Sequence, residues 1–288
     1  MRKQFAYCIG AITVLLNVSC ARAPRPEEPA LRLLSARDRA EPGTEFAIGV
    51  RIGVPDGWHT YWRNPGDVGE PARFEWETPP GVTIEPMPWP APEIIVYDGL
   101  VSYGYKNEAI LPFRLSVAAD AKPVERIACR ARWMICLDVC LPVEGEAELL
   151  FPAAENEWAS ARQDALLLES VLRQLPYEDE RWQFEAVKRD GAVRVQAVPP
   201  ADMPPNWQEQ AVFLPSTPGL FGYRGADGWR QTSDGLAVYK DVPLLPGVTP
   251  AIDSLDGLLI FRGPSARALL VQAAFVTSPT QNVRPIPP

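Results

Sequence analysis

Prolines run the length of this chain. Thirty-two of its 288 residues are proline, which lacks a backbone donor and breaks a helix from within. Long helices are therefore disfavoured, and short strands joined by turns are favoured. Hydrophobic residues make up 47% and charged residues 22%, a balance suited to packed cores rather than disorder. The length suits two domains of ordinary size. A net charge of −8 gives no electrostatic footprint for nucleic acid.

Strand patterning dominates two stretches. In the first, Phe46–Ile52 alternates apolar and polar, as a half-buried strand does. Asp56-Gly57 and Asn64-Pro65-Gly66-Asp67 mark turns. Phe74–Trp76, Ala109–Val117, Ile127–Ile135 and Glu144–Phe151 supply further strands. From Glu155 to Leu175 the period changes: Trp158, Ala161, Ala165, Leu168, Leu172 and Leu175 recur at helical spacing, and Pro176 ends the run. A helix that lays this stripe on one domain is expected. Strands then return at Trp182–Val187, Ala192–Val198, Ala211–Leu214, Leu236–Tyr239, Gly257–Phe261 and Ala268–Ala274. The fold class is therefore mainly β: two immunoglobulin-like antiparallel β-sandwiches joined by an α-helix. The expected division is 24–154 for the first sandwich, 155–176 for the helix and 177–276 for the second. A polar, proline-rich tail, 277–288, is expected to be disordered.

Residues 1–23 have the make-up of an export signal. Arg2 and Lys3 precede an apolar run from Ala6 to Leu16, and no acid appears before Glu27. Ala21-Arg22-Ala23 fits an ordinary cleavage site. Leu16–Cys20 fits a lipobox in which Cys20 would be acylated, although Asn17 stands where an aliphatic residue is usual. Both readings place the protein in the periplasm or cell envelope, the second with a lipid anchor. After the signal is set aside, Cys129, Cys136 and Cys140 remain, in a chain bound for an oxidising compartment.

The segment Trp133–Pro142 is the most informative about chemistry. Cys136 and Cys140 follow a strand and are separated by three residues. A turn or one helical turn brings such a pair within bonding range. Thiolate attack on a disulfide sulfur then permits exchange with another protein. The spacing alone leaves three readings open: a static disulfide, a redox pair, or a thiol metal site. Zinc-type two-plus-two spacing is missing, and the single histidine, His59, lies far from the cysteines in sequence. No cofactor or metal is expected.

The run Gly57–Pro71, Gly-Trp-His-Thr-Tyr-Trp-Arg-Asn-Pro-Gly-Asp-Val-Gly-Glu-Pro, resembles the opening of the DsbD N-terminal domain family, especially its ScsB-like branch. Trp89-Pro90-Ala91-Pro92, Tyr103-Gly104-Tyr105 and the Cys136/Cys140 segment follow in family order. The resemblance covers about residues 40 to 152, and the second half is similar, more weakly, to the additional sandwich of ScsB-like proteins. It implies an immunoglobulin-like, periplasmic domain. Such a domain takes electrons from a thioredoxin-like or membrane reductase donor and passes them to oxidised periplasmic proteins. It implies Cys136 and Cys140 as the catalytic pair, with Cys140 the favoured attacking sulfur. It also implies an aromatic cap over the cysteines, with Tyr103 as the cap and Asp98 as its acidic neighbour. DsbD-type reductases continue into membrane and thioredoxin domains; this sequence has no Cys-x-x-Cys, so a separate donor is expected.

The neighbours of the pair carry double readings. Asp138 would raise a thiol pKa by like-charge repulsion, or is a solvated turn residue. His59 is a packed structural histidine, with a base for thiol activation as the sharper alternative. Arg130 and Arg132 share the Cys136 face by alternation and would favour thiolate, or serve solubility. Cys129, at an odd separation from Cys136, faces the opposite way on an ideal strand; it is a buried free thiol or a resolving cysteine. Two rival functions stand beside the redox relay: a non-catalytic envelope binding module with a structural disulfide, and a copper-handling protein that uses all three thiols.

Overall fold

The computed structural model describes residues 30–151, 158–204, 206–222, 228–232, 237–248, 251–262 and 267–277. The expected signal segment with Cys20, and the tail beyond Thr277, lie outside the described residues.

The N-terminal unit contains ten strands: β1 (Leu31–Ser35), β2 (Glu45–Gly53), β3 (His59–Gly66), β4 (Arg73–Glu77), β5 (Val82–Pro86), β6 (Glu93–Tyr97), β7 (Leu100–Lys106), β8 (Glu108–Val117), β9 (Arg126–Cys136) and β10 (Cys140–Leu150). One sheet has the order β1-β2-β8-β5; the other has β10-β9-β3-β7-β6, with β4 also paired to β9. Alternation decides which side chains face inward. Ile48, Val50 and Ile52 of β2 and Leu111, Phe113 and Leu115 of β8 meet Ile127, Ala131, Trp133 and Ile135 of β9 in one core cluster. The intervening positions of β9, Arg126, Arg130 and Arg132, face solvent. They pair with glutamates on both neighbouring strands, among them Glu77, Glu148, Glu146 and Glu144. Such exposed pairs add little stability individually.

Helix α1 (Trp158–Leu172) packs on the outer face of the first sheet. Leu168 is fully buried there against Leu34 of β1 and Ile110 of β8. Gly49 makes the approach possible, because a Cβ at that position would come within 3.0 Å of Leu168 Cδ1. Burying a leucine in this way contributes about 2 kcal/mol.

The C-terminal unit, expected as a second sandwich, does not divide into two separate sheets among the described residues. Its strands are β11 (Gln183–Arg189), β12 (Ala192–Val198), β13 (Ala211–Pro215), β14 (Arg230–Gln231), β15 (Val238–Pro243), β16 (Ser254–Phe261) and β17 (Arg267–Phe275). All seven lie on one hydrogen-bonded path, β13-β16-β17-β11-β12-β15-β14. Two antiparallel groups are joined by a short parallel pairing of β11 with β17, through Glu185↔Ala274 and Ala186↔Phe275. The alternating residues Val193, Val195, Ala197, Leu269, Val271 and Ala273 converge on a core with Trp182, Trp207 and Phe221. Alternation announces a buried face, but not which distant edges will pair.

The two units share apolar contacts. Leu214 of β13 and Leu258 of β16 belong to the core cluster of the N-terminal unit. Nearby, the fully buried Asn64 donates from Nδ2 to the Pro215 carbonyl, 2.7 Å away.

Candidate functional site

The β9–β10 hairpin runs for eleven paired positions, from Leu150↔Arg126 to Cys140↔Cys136. Leu137, Asp138 and Val139 form its loop, closed by a Leu137 N–H to Val139 carbonyl bond of 3.2 Å. The cysteines are thus directly opposed at the loop end of the ladder, with Cα atoms 4.2 Å apart, and are joined as a disulfide. Their surroundings differ. Cys136 is 2% exposed, whereas Cys140 is exposed.

Register extends this pair into a row across four strands. Cys136 is opposite His59 of β3, and His59 is opposite Lys106 of β7. Directly opposed residues share a face, so Lys106, His59, Cys136 and Cys140 line up on one side of the sheet. Two residues along β3, Tyr61 shares that face, and its hydroxyl lies 3.5 Å from Cys140 Sγ. A disulfide sulfur carries no proton, so the hydroxyl donates. Burial pushes the Tyr61 phenol up to about 12, which keeps that proton in place at neutral pH. Gly69, at φ 97°, lies against the Tyr61 ring, where any Cβ would collide.

The rest of the Gly57–Pro71 run holds the frame. Trp62 is in the core, and Asn64 tethers the second unit. Asp67 exchanges two bonds with Val101: its N–H donates to the Val101 carbonyl, and its carboxylate accepts from the Val101 N–H, each at 2.8 Å. This ties the β6–β7 hairpin, next to its turn, to the Gly57–Pro71 run. The hairpin closes through Asp98-Gly99, both at positive φ (46° and 73°), between the paired Tyr97 and Leu100; that is a tight turn suited to the twist of its strands.

The tip of this hairpin meets the cysteine loop. Tyr97 donates its hydroxyl to Asp138 Oδ1 at 2.5 Å, and this bond to the carboxylate raises the Tyr97 phenol above its ordinary value. Around the contact, Val96, Leu137 and Val139 are exposed apolar side chains.

The expected cap, Tyr103, is elsewhere. It is 5% exposed, with its ring edge-on to Trp62 at 6.4 Å; β7 points it into the core. Asp98 occupies the hairpin turn beside Tyr97. Cys129 is a free, buried thiol opposite Trp76 and Ala147, and burial pushes it up to about 12. Seven positions along β9 correspond to more than about 20 Å of strand, and Cys129 faces the core. The three thiols therefore do not converge, which removes the geometry a three-thiol copper site needs. Arg130 and Arg132 share the outer face but are engaged by Glu146 and Glu144. His59 is 8% exposed, with its ring 5.1 Å from that of Tyr61. Burial, and then the charge of Lys106, lower its pKa. Tyr97 was the residue that sequence reasoning missed; the Asp98-Gly99 turn was the available signal.

A β-sandwich that presents a disulfide at a hairpin end, with one cysteine exposed and one covered, is an arrangement that suits thiol–disulfide exchange. Residues 30–152 match the family model described as thiol:disulfide interchange protein DsbD, N-terminal. The crystal structure of the N-terminal periplasmic domain of ScsB from Proteus mirabilis is similar at a TM-score of 0.57 and 16% identity, covering 85% of this chain and 92% of that one. The N-terminal domain of Neisseria meningitidis DsbD, in its reduced form, aligns at 16% identity over 42% of this chain and 83% of that one, with a TM-score of 0.26. A search of curated proteins finds no match.

Proposed function

We propose that this protein is an envelope thiol–disulfide exchange relay in which Cys140 is the attacked and attacking sulfur and Cys136 the resolving one. The unequal exposure of the two cysteines carries the reading. A partner's thiolate can reach Cys140, while Cys136 leaves and returns from beneath the surface. The Tyr97–Asp138 contact serves as the latch of a cap, in the role first expected of Tyr103. Leu137, Val139 and Val96 give an apolar rim for docking. The donor is a thioredoxin-like or membrane reductase, and the acceptors are oxidised periplasmic proteins. The N-terminal unit performs exchange, and the C-terminal unit supports it.

Equilibration in glutathione buffers tests this. A relay pair is reduced and reoxidised within the buffer range, whereas a bond that stays closed below about −300 mV is a structural staple. Cys136→Ser should accumulate mixed disulfides through Cys140, and Cys140→Ser should not. The reverse pattern would overturn the assignment.

A further inference from the structure

We infer that His59 is the hydrogen-bond donor that holds the negative charge released on Cys136 when the disulfide opens. This inference rests on the exchange reading and extends it to a residue outside the cysteine pair.

The observation is an orphan in a particular place. His59 Nε2 is buried and has no hydrogen-bond partner. Trp62 Nε1 and Trp133 Nε1 are also buried without partners, but both side chains belong to the apolar core cluster, so an orphan nitrogen is not by itself a sign of function. His59 differs in register. It is opposite Cys136 on β3, on the face that carries the disulfide, and opposed side chains have Cβ atoms roughly 4.5–5.5 Å apart. Unsatisfied buried polar groups are costly, and a redox role is one recognised reason to retain one.

The chemistry supplies the missing partner. An incoming thiolate attacks Cys140 Sγ and forms a mixed disulfide. The Cys136–Cys140 bond breaks, and its electron pair passes to Cys136 Sγ. A negative charge thus appears on the sulfur of a residue that is only 2% exposed, where an unpaired charge is strongly disfavoured. Tyr61 points its hydroxyl at Cys140. The groups around His59 are Lys106 on β7, Tyr61 on β3 and Cys136 on β9. Burial, with Lys106 next to it, favours the neutral ring. A neutral imidazole with its proton on Nε2 donates a hydrogen bond to the thiolate without giving the proton up. In the reverse direction, the Cys136 thiolate attacks Cys140 Sγ and expels the partner's thiolate, and the same bond keeps Cys136 ionised for that attack.

His59 is the only histidine in the sequence, which makes a direct test possible in the unmodified, untagged chain. Nitrogen-15 NMR should show the imidazole Nε2–H resonance move downfield when the disulfide is reduced with a phosphine. An unchanged resonance would overturn the inference. In a Cys140→Ser background, His59→Phe should raise the Cys136 thiol pKa, read from thiolate absorbance, by about one unit or more. His59→Gln, which retains a donor, should recover part of that shift. A thiol pKa that is the same with and without the His59→Phe substitution would also overturn it. Glutathione equilibration of the same preparation scores the exchange reading separately: exchange with an indifferent histidine defeats only this inference, whereas a bond that never exchanges defeats the relay.

Discussion

The two halves of the molecule use strands for different ends. The N-terminal unit splits its strands between two sheets, and the face of the second sheet turned away from the shared core carries the row from Lys106 to Cys140. The C-terminal unit threads seven strands on one path among the described residues and contains neither cysteine nor histidine. It nevertheless lends Leu214 and Leu258 to the first core, and it meets Asn64, inside the motif that frames the disulfide. The comparison teaches that lack of redox chemistry in the second unit does not make it a passive appendage. Its packing is part of what holds β3, and hence His59 and Tyr61, in register.

That view breaks most readily at Leu258. Leu258→Ala should cost about 2–5 kcal/mol, and in hydrogen exchange the loss of protection should extend into the N-terminal strands. Loss confined to β13–β17 would make the units independent. A smaller effect is expected at the Arg194–Asp241 pair, joined by two bonds of 2.7 and 2.8 Å within the C-terminal unit. Its hydrogen bonds to Arg194 lower the Asp241 pKa. A lowered folded-state value gives stability that is complete above the unfolded carboxylate pKa and is lost as pH falls through the folded one. Asp241→Asn should therefore remove about 1.5 kcal/mol at neutral pH and progressively less in acid, as read by denaturant melts from neutral pH down to about pH 2, with exchange at Cys140 unchanged. The smallest expected effect on stability is at Tyr97. Tyr97→Phe removes the latch and should leave the melting temperature within about a degree, as exposed contacts do. Alkylation of Cys140 in the reduced protein should become several-fold faster. An unaltered rate would mean that the hairpin tip does not gate the site.

Much of the N-terminal unit was legible in the sequence because its signals are local. The odd spacing of Cys129 and Cys136 placed them on opposite faces of β9, as observed. The helix stripe around Leu168 found its apolar partner in the way its period required. The cap residue was harder to read. Tyr103 and Tyr105 look like loop aromatics beside Gly104, yet β7 runs between two strands and buries both tyrosines. Gly104 is required because a Cβ there would strike the Thr60 carbonyl. The β11–β17 join depends on two distant edges meeting in space, and no local pattern encodes that. The row from Lys106 to Cys140 is a product of register across four strands, which spacing along one strand cannot reveal.

The hairpin geometry has a last consequence. The cross-link spans a sequence separation of only four, so in the chain-entropy picture it restricts the unfolded ensemble by about 2 kcal/mol, well under what a bond closing a hundred-residue loop provides. The ladder beneath it holds the same two strands together whether or not the sulfurs are joined. In the proposed relay, the bond would open and close at the tip while the scaffold stays folded, far from its own melting point.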